Sequence, residues 1–225
     1  MRPSNFTNLA KIVKVCKIRR FHYFLHKLSI LSKNEIARRK KKNEPRKAKI
    51  LFFPLRFQQQ DLKIELVLPQ ITQAEALYQA VVRDRKQLGQ WLAWANQMHS
   101  ASDEAKFIKQ IQTRMSQQTM LVLTILVNGE PSGMIDLHKL VPNKKAEIGY
   151  WLASKYQGRG IVTKSVTALC QYAFSELNLQ YIDLLVAVSN DKSSNVAKRC
   201  GFKLMGIEPK LINGHDGQIF RLIRR

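Results

Sequence analysis

The sequence predicts a mixed α/β domain on one mostly antiparallel sheet flanked by helices, preceded by a basic N-terminal extension. Three observations predict it. Helical periodicity comes early in the region after residue 61, short strand-like runs joined by tight turns fill the middle, and a β-α-β-α-β-β run closes the chain. The 225 residues are 45% hydrophobic and 24% charged, enough apolar matter for a real core, which excludes wholesale disorder. The longest apolar run, Leu121 to Val127, is far short of the roughly 20 residues that span a bilayer, so no membrane partner is expected. Three cysteines, Cys16, Cys170 and Cys200, are odd in number and show no CxxC spacing. That argues against a disulfide framework or a zinc site and makes a reducing cytoplasm the default, with no metal expected.

The charge is uneven. Residues 1–60 hold 17 basic and 2 acidic residues, +15 of the formal +22. Arg38-Arg-Lys-Lys-Lys42 is a block of like charge that repels itself, and Pro45 and Pro54 follow it. Residues 1–60 are therefore expected to be a poorly ordered extension. A basic arm that contacts RNA or the ribosome through phosphate neutralisation is a second reading, and a targeting peptide a third. A fourth is a mis-called start: after Met1 the next methionine is Met98, and a non-ATG start near Ile50 to Leu55 fits the change in character.

From residue 61 the pattern becomes orderly. Leu62 to Pro69 alternates and stops at proline, as a strand does. Thr72 to Val82 and Arg85 to Ala95 have helical spacing, and Ser100 or Ser102 caps a further helix with Asp103 and Glu104 in its first turn. Met120–Val127 and Met134–Leu140 are strands joined through Asn128-Gly129, a strong hairpin turn. Lys145–Ala153 is a strand, and a helix runs from about Arg159 to Leu177 with Val162, Val166, Leu169, Cys170, Ala173 and Leu177 as its apolar stripe. Tyr181–Val188, Phe202–Ile207 and Gln218–Ile223 are strands, Ser193–Arg199 is a short helix, and Ile212 to Gly217 is a turn.

The stretch Gln157-Gly158-Arg159-Gly160 is the most informative. It lies between a strand and a helix whose first-turn N–H groups carry partial positive charge. The glycines remove Cβ atoms from the approach, Arg159 and Lys164 add charge, and no acid follows until Glu176, so the turn suits phosphates. It is not a Walker loop, which needs G-x-x-x-x-G-K-[ST], nor a G-x-G-x-x-G dinucleotide turn.

Gln157-x-x-Gly160 resembles the Q/R-x-x-G-x-G/A acyl-CoA signature of the GNAT acetyltransferases. Ala146-Glu-Ile-Gly-Tyr-Trp-Leu152 before it and Asn190-Asp-Lys-Ser-Ser-Asn-Val-Ala-Lys-Arg-Cys-Gly-Phe202 after it resemble the RimJ/RimL branch, as do Trp91-Leu-Ala-Trp94 and Pro131-Ser-Gly-Met-Ile-Asp-Leu-His138. The resemblance covers residues 61–225 and none of 1–60. Val162 departs from it, standing where a small residue is usual, and Asn213 to Gly217 is shorter than the family's last hairpin.

The resemblance implies a GNAT-type domain that transfers acetyl from acetyl-CoA to a protein N-terminal amine, that of a ribosomal protein with Ser or Ala first. The backbone of Gln157, Gly158, Arg159, Gly160, Ile161 and Val162 would hold the pyrophosphate, Tyr150, Trp151 and Leu152 would pair with the pantetheine arm, and Asn190 would touch it. Glu147 is the first candidate base, with a surface carboxylate paired with Lys145 or Arg159 as its plain alternative. His138 is the second. The family's acidic tyrosine falls on Ala197 and is missing, which leaves Ser193 to hydrogen-bond the sulfur. Trp91, Trp94 and Asp136 are the acceptor-side candidates, the two tryptophans sharing one helix face at i, i+3. A small amine such as a polyamine or amino sugar is the alternative acceptor. Monomer and homodimer both stay open.

Overall fold

A computed structural model describes residues 54–224. The basic block, Cys16 and the RNA-contact and targeting readings lie at 1–53, outside the described residues.

Among the described residues eight strands form one sheet, in the order β1 (Leu55–Gln59), β2 (Leu62–Val67), β3 (Leu121–Val127), β4 (Glu130–Val141), β5 (Lys145–Leu152), β6 (Tyr181–Ala187), β8 (His215–Ile223) and β7 (Lys203–Ile212). The strands β1 (Leu55–Gln59) and β2 (Leu62–Val67) make a hairpin, with Leu55 opposite Leu66 and Gln59 opposite Leu62. Leu62, Ile64 and Leu66 are buried, and Leu55 and Phe57 pack on the same core. The boundary expected at residue 61 thus falls in a hairpin turn, because two alternating apolar residues earn β1 a place on the sheet despite the basic sequence before it.

The helix α1 (Ala74–Gly89) is a single helix where two, 72–82 and 85–95, were expected. Its buried stripe of Ala74, Leu77, Ala80, Val81 and Leu88 runs unbroken past Arg83-Asp84. The chain leaves the helix at Gln90–Leu92, Leu92 being extended at φ −120°, ψ 92°, and α2 (Ala93–Gln97) is a separate short helix. As expected, α3 (Ala101–Ser116) is capped by Ser100, whose Oγ accepts from Asp103 N at 3.2 Å.

The meander follows. The strands β3 (Leu121–Val127) and β4 (Glu130–Val141) meet at Asn128 and Gly129, with φ of 49° and 84°. Both angles are positive, as a two-residue hairpin turn requires. The strand β5 (Lys145–Leu152) pairs with β4 from Val141↔Lys145 to Gly133↔Leu152. Then come α4 (Ile161–Ser175), β6 (Tyr181–Ala187), α5 (Asp191–Arg199), β7 (Lys203–Ile212) and β8 (His215–Ile223). The last hairpin is tighter than the expected turn at 212–217: Asn213 and Gly214, at φ 47° and 85°, close it, and His215 to Gly217 belong to β8.

Every neighbouring pair is antiparallel except β5 and β6. Those two run parallel and pair over three positions, Lys145↔Tyr181, Ala146↔Ile182 and Glu147↔Asp183, then part. Beyond Glu147 that edge of β5 has no strand partner among the described residues. One core packs Val166, Leu169, Ala173, Val196 and Ala197 of the later helices against Ile135, Leu137, Ile148 and Leu184. The other packs Leu77, Val81, Ile108 and Ile111 of α1 and α3 against Val122, Met134 and Trp151. At roughly 1.5–3 kcal/mol per fully buried large aliphatic side chain, these two layers fix both sheet faces. The parting of β5 from β6 opens between them.

Candidate active site

The parting strands enclose a cavity of about 840 Å³. Gly149, Tyr150, Trp151 and Leu152 of β5 form one wall, Leu184 and Leu185 of β6 the facing wall, and the turn into α4 closes one end.

That turn is anchored from three directions. Ser154 donates from N and from Oγ to the two carboxylate oxygens of Asp84 on α1, each at 2.6 Å. Lys155 Nζ donates to Glu130 at 2.7 and 2.8 Å, and Tyr156 Oη donates to the same carboxylate at 2.8 Å. Gln157 Nε2 donates to Leu152 O at 2.8 Å, while its Oε1 accepts from Gln87 Nε2 at 3.1 Å. Sequence spacing gives no sign of Asp84, Gln87 or Glu130, because each reaches its partner across at least 25 residues.

Beyond the anchor, Gly158 and Gly160 are left-handed at φ 75° and 76°. Gly160 caps α4 with no side-chain cap and no acid in the first turn. The first N–H groups of α4 therefore keep their partial charge for a ligand. Gly158, Gly160, Ile161 and Val162 line the cavity. Arg159 is exposed and is not part of the lining, whereas Lys192 and Arg199 of α5 are. Lys164 Nζ donates to Gln58 O at 2.9 Å, which ties β1 to this helix start. The arrangement can receive a diphosphate at one end and an extended amide-bearing chain along the free edge of β5.

Asn190 Oδ1 accepts from Ser193 N at 3.2 Å as the cap of α5, and the residue lines the cavity. Ser193 lines it too, and its Oγ lies 2.6 Å from Tyr150 Oη. Burial pushes the Tyr150 phenol up to about 12. Ala197 is fully buried.

Glu147, His138 and Asp136 form a second group. They share one face of adjacent strands, with His138 directly opposite Glu147 and Asp136 opposite Gly149. His138 Nδ1 lies 2.6 Å from Asp136 Oδ1, and Nε2 lies 3.4 Å from Glu147 Oε2. Lys139 Nζ stands 2.9 Å from Glu147 Oε1, so the cation beside this carboxylate is Lys139 rather than Lys145 or Arg159. The hydrogen bond to Asp136 raises the His138 pKa most, and the charge of Glu147 adds to the rise, against the opposing effect of burial. None of the three lines the cavity. Gly149 joins the two places: it lines the cavity, and a Cβ there would stand 3.1 Å from Asp136 Oδ2 and 3.5 Å from His138 Cε1. Glu147 is also the last residue of β5 paired with β6, so the group sits where the strands part.

Trp91 and Trp94 do not share a helix face, because the break at Leu92 separates them. Trp91 lines the cavity, its ring 5.9 Å from that of His215, and its carbonyl accepts from Asn213 Nδ2 at 2.7 Å. Trp94 packs on Trp151 at 6.0 Å. Among the described residues no cluster of His, Cys, Asp and Glu fits a metal ion, and no helix is long and apolar enough to cross a membrane.

Residues 63–203 match the family described as acetyltransferase (GNAT) domain. The chain is 35% identical over 158 residues to the putative ribosomal N-acetyltransferase YdaF of Bacillus subtilis, covering 68% of this chain and 86% of that protein. It is 28% identical to spermidine N(1)-acetyltransferase of Escherichia coli over 42% of this chain and 53% of that one. Among solved structures, RimL, a ribosomal L7/L12 alpha-N-protein acetyltransferase in complex with coenzyme A, superposes with a TM-score of 0.70 at 26% identity, over 75% of this chain and 98% of RimL.

Proposed function

The chain belongs to the GNAT acetyltransferase family, and from that premise we propose that it transfers acetyl from acetyl-CoA to the α-amine of a protein N-terminus, a ribosomal protein with Ser or Ala first. One observation carries the reading: β5 and β6 part after Glu147, and the cavity between them ends at an uncapped helix start bearing Gly158 and Gly160.

The N–H groups from Gly158 to Val162 bind the pyrophosphate of the substrate coenzyme, and Lys192 and Arg199 add charge nearby. Pantetheine lies along the free edge of β5 at Tyr150, Trp151 and Leu152, beside Asn190. The thioester then reaches the point where the strands part, close to Gly149. The acceptor nitrogen attacks the carbonyl carbon, the C–N bond forms, and the C–S bond breaks with its electron pair going to sulfur. Backbone N–H groups on β5 near Trp151 hold the oxyanion between those events. Glu147 takes the amine proton. His138 has both ring nitrogens turned to carboxylates, and the hydrogen bond to Asp136 raises its pKa most, which favours its protonated form. Its part is to orient Glu147 and Asp136 rather than to act as base.

The demand on Glu147 depends on the acceptor. At pH 7.5 an α-amine of pKa ~7.8 is about one-third neutral, and a lysine-like amine of pKa ~10.4 about one-thousandth. A weak carboxylate base suits the first. A polyamine is the second reading, favoured by the similarity to the spermidine enzyme and by the two carboxylates, Asp136 and Glu147, that flank His138 where the strands part. Labelled acetyl-CoA offered in parallel to Ser- and Ala-initiated peptides, spermidine and an amino sugar tests the assignment. Label in the peptides is expected; label confined to the small amines overturns it.

A further inference from the structure

We propose that Tyr150 is a positioning residue for the transfer step: its phenol donates to Ser193 Oγ, fixes that hydroxyl, and leaves the serine proton aimed at the departing sulfur. The proposal rests on the acetyl-CoA reading above. The two oxygens are 2.6 Å apart, and both residues line the cavity where β5 leaves β6. Each is held by its own element. Tyr150 is pinned by its register opposite Ile135, and Ser193 by the Asn190 cap on its N–H.

Two hydroxyls carry two protons and share one contact. Among the described residues, Ser193 Oγ is the hydrogen-bond partner of the phenol. If serine donated to tyrosine, the phenol proton would be left facing a partly buried wall without an acceptor, at a cost of roughly 1–3 kcal/mol. The reverse direction satisfies the phenol and frees the serine proton for the cavity. Ser193 also stands in the first turn of α5, where the helix N-terminus favours the negative charge developing on sulfur.

The pair supplies a hydrogen bond, not a proton. A phenol pushed up to about 12 and an aliphatic hydroxyl both hold their protons more tightly than a thiol of pKa ~8.5. Sulfur therefore leaves as thiolate and is protonated by water, while the amine proton stays with Glu147. The tyrosine that the family carries on the helix at Ala197 is thus replaced in part by one from the facing strand. It acts through a serine rather than as an acid.

The test uses the full chain with free coenzyme A, so no acceptor need be known. Calorimetry reports binding, and ultraviolet titration of the bound thiolate reports the hydrogen bond. In the wild type the bound thiol should titrate about one pH unit below free coenzyme. Tyr150→Phe and Ser193→Ala should each return the bound thiol to the free value, and the double variant should match Ser193→Ala because the tyrosine acts only through the serine. Ser193→Thr, which keeps a hydroxyl, should keep the low value. A wild-type thiol that titrates as free coenzyme, a silent Tyr150→Phe, or additive effects would overturn the proposal. Absence of any heat with coenzyme A is a different result: it overturns the coenzyme reading and takes this role with it.

Discussion

Glu104 offers a quantitative test of the helical layer behind the Asp136 face of the sheet. It lies in the first turn of α3, is 1% exposed, and its Oε1 has no hydrogen-bond partner among the described residues. Burial pushes its carboxyl from 4.5 to about 7. The folded state thus binds the proton more tightly than the unfolded chain does. Below pH 4.5 both states are protonated and there is no penalty. Between 4.5 and about 7 the unfolded chain ionises first, stability falls as pH rises, and the loss is complete above 7. At 1.36 kcal/mol per pH unit the interval amounts to ~3 kcal/mol. Glu104→Gln keeps the shape and removes the titration. Any constant effect of the buried amide cancels when the variant-minus-wild-type difference is compared across pH. Thermal melts of both proteins from pH 4.5 to 8 should show that difference growing in favour of the variant by ~6–12 °C, at ~2–4 °C per kcal/mol for a domain of this size. A difference that stays flat with pH would mean that Glu104 ionises without penalty, and the argument from burial would be refuted.

Three further outcomes are expected. Gly160→Ala places a side chain at φ 76° and a Cβ 3.0 Å from Gln59 Nε2; the left-handed backbone alone costs ~1–2 kcal/mol, and coenzyme A affinity by calorimetry should fall at least ~10-fold, whereas an unchanged Kd would remove the phosphate role of this turn. Asp84→Ala removes both hydrogen bonds that hold Ser154 to α1, so KM for acetyl-CoA should rise ~10-fold with kcat within about twofold, on the strength of charge-assisted bonds; a kcat loss at constant KM would contradict a role confined to the loop. Asp136→Asn removes the largest cause of the raised His138 pKa, so the imidazole titration followed by NMR should move down. In the wild type the stabilisation from the His138 imidazolium is full below about 6.5 and is lost as pH rises through the raised folded value, so the variant should lose stability chiefly at low pH.

Features set by near neighbours were legible before the fold was known. Asn128-Gly129 dictates a hairpin because both residues accept positive φ, Ser100 caps α3, and the stripe from Val166 to Ala173 makes α4 amphipathic. Gly158 and Gly160, followed by a helix without early acid, already describe an anion site. Misreadings arose where a distant partner decides. Arg83-Asp84 looks like a helix break until Asp84 is seen holding Ser154, 70 residues away. Trp91 and Trp94 have helical spacing, yet Asn213 and His215 of a late hairpin meet Trp91 outside any helix.

The sequence by itself determined the strands after residue 61, the cap of α3 and the glycine turn, since these depend on φ preferences and periodicity within a few residues, whereas β1 falls in the stretch expected to be unordered. Tertiary structure decided where β5 parts from β6, that His138 stands between Asp136 and Glu147, and that Tyr150 reaches Ser193. Those are matters of register and crossover between segments up to 43 residues apart. A one-residue slip would turn each of these side chains to the opposite face of the sheet, and the packing of two opposed cores is what forbids it.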